Sequence, residues 1–200
     1  MDDGELTSED MEHDGVQPSK PRNLLAASGS VAAIKFEILC RSVLEWAEVR
    51  AVATRSSLHF LDKASLPQGV TLYTDDDEWS HWKKLGDEVL HIQLRKWADI
   101  MVIAPLSANT LAKIAGGLCD NLLTCIVRAW DYSKPIHVAP AMNAFTWNNP
   151  VTRRHLGEMQ ELGVRLIAPV TERLACGDHG NGAMAEPCAI NSTVALLYKR

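Results

Sequence analysis

Three turns of small and polar residues follow apolar runs in this chain, and their composition suits a bound ligand better than a packed core. Ser28-Gly29-Ser30 closes the run Asn23 to Ala27. Small residues there let the backbone approach a ligand and leave free amides for an anion such as a phosphate, and they read equally as a plain tight turn. Pro105-Leu106-Ser107-Ala108-Asn109-Thr110 closes the run Ile100 to Ala104, and Pro140-Ala141-Met142-Asn143 closes Ile136 to Ala139. Neither the G-x-G-x-x-G nor the Walker spacing occurs, so NAD and ATP are not the first choices. Two small polar turns on one sheet edge point to a nucleotide-type cofactor. Asn143 reads equally as the holder of a carboxylate or amide and as the N-cap of the helix after it. A fourth stretch, Leu174 to Met184, is punctuated by glycine and holds Cys176. It reads as a cover over a site or as a surface loop with an incidental thiol.

Such turns work only if a scaffold brings them to one edge. The run Asn23 to Ala27 suits a buried parallel strand, Val31, Ile34, Ile38 and Leu39 recur at helical spacing, and Val49 to Ala53 is a second strand. The same grammar returns at Ile100 to Ala104, with helices from Asn109 and over Asp120 to Trp130, and then at Ile136 to Ala139. Pro150 opens a helix reaching Leu162, Gly163 caps it, Val164 to Ile167 is another strand, and Ala189 to Tyr198 a last helix. This alternation predicts an α/β fold, a Rossmann-like, doubly wound and mostly parallel sheet with helices on both faces, binding its ligand outside the carboxyl ends of the strands. Asp62 to Leu90 and Pro169 to Pro187 do not fit the alternation and are expected to be functional or disordered loops.

Composition sets the outer limits. The 200 residues, 46% of them apolar, suffice for a single buried core. Residues 1–20 hold seven acids against Lys20 alone, so the net charge of −5 leaves the remaining body near neutral. We expect residues 1–20 to be a disordered acidic tail and residues 21–200 a single domain. A near-neutral body lacks the basic stripe of a nucleic-acid binder, and its apolar runs are too short for a bilayer. Five cysteines without a C-x-x-C pair argue against a zinc knuckle or a secreted disulfide framework, so no metal site is expected. Reduced thiols in a cytoplasmic protein are the expectation.

Ala27 to Lys35, Pro105 to Thr110, Pro140 to Asn143 and Ala175 to Met184, in that order and with His91 between the first two, resemble the homo-oligomeric flavin-containing cysteine decarboxylases. The resemblance spans residues 21–198 and is strongest to the plant branch that acts on 4'-phosphopantothenoylcysteine in coenzyme A biosynthesis, a branch also linked to salt tolerance. It implies a homotrimer of Rossmann-like subunits with FMN near a subunit interface. It further implies that Gly29, Ser30 and Val31 cradle the FMN phosphate, that Thr54 and Ser56 line the next strand end, and that Ser107, Ala108, Asn109, Thr110 and Ala141 touch the flavin. By the same resemblance His91 is the catalytic base, Cys176 the proton donor, and Asn143 the contact to the substrate carboxylate, with Arg173, Ala175 and Met184 near the substrate. Spacing alone does not single out His91 among seven histidines.

The chemistry such an enzyme performs has a clear requirement. Losing carbon dioxide from a cysteinyl carboxylate leaves an unstabilised carbanion unless an electron sink lies beta to it. Oxidation of the thiol to a thioaldehyde supplies that sink, and return of the two electrons with a proton makes the whole redox neutral. One residue departs from the pattern Pro-Ala-Met-Asn-x-x-Met-Trp: Thr146 stands where a methionine helps enclose the substrate. A β-branched hydroxyl in place of a flexible thioether changes that wall. A rival reading, an FMN-binding regulatory subunit of a protein phosphatase, draws on Thr146 and on the acidic tail. A flavin prenyltransferase is disfavoured by the Cys176 loop.

Overall fold

The structure is a computed structural model that describes residues 20–173 and 179–198, without the side chains of His81, Glu172, Arg173 and His179. The acidic tail expected over residues 1–20 falls almost wholly outside that range.

Six parallel strands form the centre: β1 Arg22–Ala27, β2 Glu48–Ala53, β3 Thr71–Tyr73, β4 Ile100–Leu106, β5 Ile136–Pro140 and β6 Arg165–Leu166. Their order across the sheet is β3-β2-β1-β4-β5-β6. The chain therefore winds one way from β1 through β3, then crosses back beside β1 at β4, which places a crevice between the carboxyl ends of β1 and β4. β1 shows why the apolar runs are continuous and not alternating. Leu25 and Ala27 belong to one buried cluster and Leu24 and Ala26 to the other, so both faces of the strand are covered. Leu24 and Leu25 are each fully enclosed; truncating either to alanine should cost about 2–5 kcal/mol.

Among the described residues, eight α-helices and a hairpin accompany the sheet: α1 Phe36–Leu44, α2 Asp75–His81, α3 Leu90–Trp97, α4 Ala108–Ala115, α5 Leu122–Arg128, α6 Ala144–Trp147, α7 Pro150–Glu161 and α8 Pro187–Ala195, with β7 Val170–Arg173 antiparallel to β8 His179–Ala183. A 3-10 turn, Val31–Lys35, leads into α1. One face of the sheet is closed by α1 and α8, where the Trp46 indole N–H donates to Asn191 Oδ1 at 2.8 Å. The other is closed by residues of α3, α4, α5 and α7.

Two expectations need correction. The stretch Asp62 to Leu90 is not one long loop: it contains β3 and α2, the latter opened by a capping box between Thr74 and Asp77. Its helical signal is weak because α2 leaves Trp79 80% exposed, so apolar residues do not mark a buried face. The stretch Pro169 to Pro187 likewise contains the β7–β8 hairpin. The six-stranded sheet is entirely parallel, and among the described residues antiparallel pairing is confined to that hairpin.

Candidate active site

The crevice at the carboxyl edge is assembled by hydrogen bonds that cross between turns. Ser28, fully buried after β1, donates from its backbone N–H to the Pro105 carbonyl at 3.0 Å and from its hydroxyl to the same oxygen at 2.9 Å. The Ser107 N–H donates back to Ser28 Oγ at 2.7 Å. The turns after β1 and β4 are thus fixed to each other, and the Ala141 N–H donates to the Leu106 carbonyl at 3.0 Å to bring in the turn after β5. Each of these bonds, removed singly, would leave a buried polar group unpaired at a cost of about 1–3 kcal/mol.

Two adjoining spaces open there. A cleft of about 250 Å³ is lined by Gly29, Thr54, Arg55, Ser56, Asp75, Ser107, Asn109, Thr110, Lys113, Asp120 and Asn121. A cavity of about 670 Å³ is lined by Gly29, Ser30, Val31, Ala32, Ile34, Lys35, Phe60, Ser107, Ala108, Asn109, Ala141, Met142, Asn143, Thr146, Gly182, Ala183 and Met184. Gly29, Ser107 and Asn109 belong to both. The cleft is polar, rich in hydroxyls and holds the Lys113–Asp120 ion pair; the cavity is predominantly apolar and of the size that takes a ring system.

Glycine is required at two points of this lining. A Cβ on Gly29 would stand 2.5 Å from Ser56 Cβ, so only glycine lets the turns after β1 and β2 approach this closely. A Cβ on Gly182 would stand 2.2 Å from the Met142 carbonyl oxygen. That approach allows the Met142 N–H to donate to the Gly182 carbonyl at 2.9 Å, which seats the β7–β8 hairpin on the turn after β5 and forms one wall of the cavity. The crowding around Gly29 and the hydroxyl-rich cleft beside an apolar cavity are what a phosphate-bearing ring cofactor would require.

Every residue expected to touch the cofactor therefore lines one of these two spaces, as do Asn143 and Met184. Asn143 is an N-cap and a cavity-lining residue at once. Its Oδ1 accepts from the Thr146 N–H at 2.9 Å as the N-cap of α6, and the residue also faces the cavity. Thr146 is in that wall too. Arg173 ends β7, with its side chain outside the described residues; Ala175 and Cys176 lie outside them altogether. Ser28 was overlooked as a site residue because its partners stand 77 and 79 positions away. Lys35 was overlooked too: it lines the cavity and pairs with Glu186 at the start of α8.

His91 is the exception. It sits on α3, which packs on α2 and α5, and lines neither the cleft nor the cavity of its own chain. Its Nδ1 lies 2.6 Å from Glu78 Oε1 on α2. Of the other titratable groups, His137 on β5 is 3% exposed and burial pushes its imidazole down to about 4, which keeps it neutral at physiological pH. Cys40 and Cys125 are pushed up by burial to about 12 and about 11, so neither is a thiolate there. The four described cysteines are all free.

Residues 12–198 match the model of the Flavoprotein family. A phosphopantothenoylcysteine decarboxylase of Oryza sativa subsp. japonica is 74% identical over 200 residues, covering 100% of this chain and 91% of that one. Among solved structures, a cysteine-to-serine mutant of a PPC decarboxylase complexed with pantothenoylaminoethenethiol superposes with a TM-score of 0.89 at 72% identity, covering 90% of this chain and all of that one. The FMN binding protein AtHal3 superposes with a TM-score of 0.86 at 73% identity, over 90% of this chain and 97% of that one. The parallel sheet, the crevice at its switch point and the matched length together place this chain in the flavoprotein family.

Proposed function

We propose that this chain is the FMN-dependent decarboxylase that converts 4'-phosphopantothenoylcysteine to 4'-phosphopantetheine in coenzyme A biosynthesis. The observation that carries this reading is that the hydroxyl-lined cleft and the apolar cavity lie side by side, with Gly29, Ser107 and Asn109 in the lining of both. That pairing suits a phosphate-bearing ring cofactor with a substrate laid against it, and it stands in a chain 74% identical to a decarboxylase of this name.

When bound, FMN supplies the oxidation of the substrate thiol to a thioaldehyde and the return of the same two electrons after carbon dioxide has left. The chain's own residues do the rest. Asn143, fixed by its capping bond to the Thr146 N–H, offers its amide to the substrate carboxylate. His91 takes the thiol proton, and Cys176 delivers one to the enethiol carbon. The β7–β8 hairpin, seated on Met142, closes one side of the cavity against water.

His91 does this work in the cavity of a neighbouring copy. Within one chain it lines neither space, so a homotrimer that lays α3 of one subunit against the cavity of the next completes the site. The reading includes a cytoplasmic location, supported by the four free thiols; among the described residues no helix is long and apolar enough to cross a membrane.

Purified holoprotein incubated with 4'-phosphopantothenoylcysteine should release carbon dioxide and form 4'-phosphopantetheine. A yellow, trimeric protein that binds the substrate and releases no carbon dioxide would overturn the activity and favour the phosphatase-regulatory role.

A further inference from the structure

Glu78 is the carboxylate partner of His91. It lies on α2 in the first turn, 12% exposed at its side chain, and its Oε1 stands 2.6 Å from Nδ1 of His91, itself 25% exposed. A carboxylate accepts hydrogen bonds and donates none, so this contact puts a ring hydrogen on Nδ1. The other oxygen, Oε2, is enclosed and makes no hydrogen bond. An enclosed, half-satisfied carboxylate costs free energy, so stability gives little reason to keep one.

The surrounding structure holds Glu78 in place. The Thr74–Asp77 capping box fixes the start of α2, and the Leu122 N–H donates to Asp75 Oδ1 at 2.9 Å, which ties α2 to the start of α5. Both α2 and α5 pack against α3. The carboxylate is thus carried on an anchored helix and not on a free side chain of the surface.

We propose that Glu78 is a positioning residue for the decarboxylase: it selects the Nδ1–H tautomer of His91 and aims Nε2 outward as the proton acceptor. This rests on the reading of His91 as the base. Partners that orient a working histidine matter by roughly 10- to 100-fold in activity when removed.

The test compares Glu78→Ala, Glu78→Gln and His91→Asn as FMN-loaded trimers. With Glu78→Ala, kcat for 4'-phosphopantothenoylcysteine should fall by about 10- to 100-fold with KM and FMN content unchanged. Glu78→Gln, whose amide oxygen still accepts from Nδ1–H, should fall between Glu78→Ala and the parent. Nitrogen NMR of histidine-labelled protein should show a single Nδ1–H tautomer at His91 in the parent and a mixture in Glu78→Ala. A tie that merely joins α2 to α3 would lower the melting temperature and move neither kcat nor the tautomer. Loss of turnover in His91→Asn with parental kcat and tautomer in Glu78→Ala overturns this proposal alone; parental turnover in His91→Asn overturns the base assignment. If Glu78→Ala does not fold, Glu78→Leu, which offers Nδ1 no acceptor, takes its place in the comparison, with parental kcat and tautomer again overturning the role.

Discussion

At the carboxyl edge of the sheet, turns from β1, β2, β4 and β5 meet within one copy, cross-linked by Ser28 and closed by the Met142–Gly182 bond. On the α2–α3 side, a carboxylate and an imidazole stand 2.6 Å apart and neither lines the cleft or the cavity. The first region gathers the lining of two adjoining spaces within a single chain. The second holds an imidazole–carboxylate pair that lines neither space. The difference teaches that, on the proposed reading, binding and base chemistry fall to separate parts of the subunit that assembly would unite. Variants in the two regions should therefore fail in different ways.

The largest effect is expected at the cradle. Gly29→Val forces a Cβ to within 2.5 Å of Ser56 Cβ, so the turns must part and FMN should be lost with all turnover. A yellow Gly29→Val protein with parental flavin content would break the assignment of the first region.

Cys176→Ser comes next. A serine hydroxyl is a far weaker acid than a thiol with pKa about 8.5, so oxidation and carbon dioxide loss should proceed while the enethiol accumulates. Rapid mixing with mass spectrometry reads the stall, and normal-rate formation of 4'-phosphopantetheine would remove Cys176 from the mechanism.

A smaller change is expected at Thr146, in the cavity wall. Thr146→Met adds apolar contact worth about 1 kcal/mol, which should lower KM by about fivefold with FMN affinity unchanged. Steady-state kinetics check this, and a parental or raised KM would show the wall already packed by its neighbours.

The smallest concerns acid and separates stability from activity. His137 takes up a proton near 6.5 when unfolded but only near 4 when folded. Between those values the unfolded chain holds more protons, so stability present above pH 6.5 is lost as pH falls toward 4, by up to about 1.4 kcal/mol per pH unit. His137→Gln should flatten the acid dependence of the melting temperature over that range without altering the pH profile of turnover. An altered turnover profile would tie β5 to the chemistry and blur the division between the regions.

How much of this was legible follows from how local each signal is. Asn23 to Ala27 announces β1 because a strand buried on both faces is continuously apolar, and the turn after it needs glycine for a contact made nearby in space. The N-cap role of Asn143 is local and readable, since its partner Thr146 is three residues on. β3 has three residues and β6 two, too few for periodicity to mark their limits. Ser28 joins turns 77 positions apart, and Glu78 meets His91 across a helix boundary 13 positions long, so neither pairing leaves a trace in spacing. The hairpin over the cavity escapes because glycine-rich sequence shows no alternation; what makes it a strand pair is its seat on Met142.

The most direct test of the central claim is complementation within mixed trimers. His91→Asn keeps a whole cavity and lacks the base, while Asn143→Asp keeps the base and the N-cap but sets a negative charge against the substrate carboxylate. Each homotrimer should be inactive. If one subunit's His91 serves the next subunit's cavity, dissociating and reassembling the two together with FMN should restore turnover, because some interfaces then pair an intact cavity with an intact base. Mixed trimers, verified by mass, that remain as inactive as either parent would show that base and cavity act within the same chain and would contradict the account.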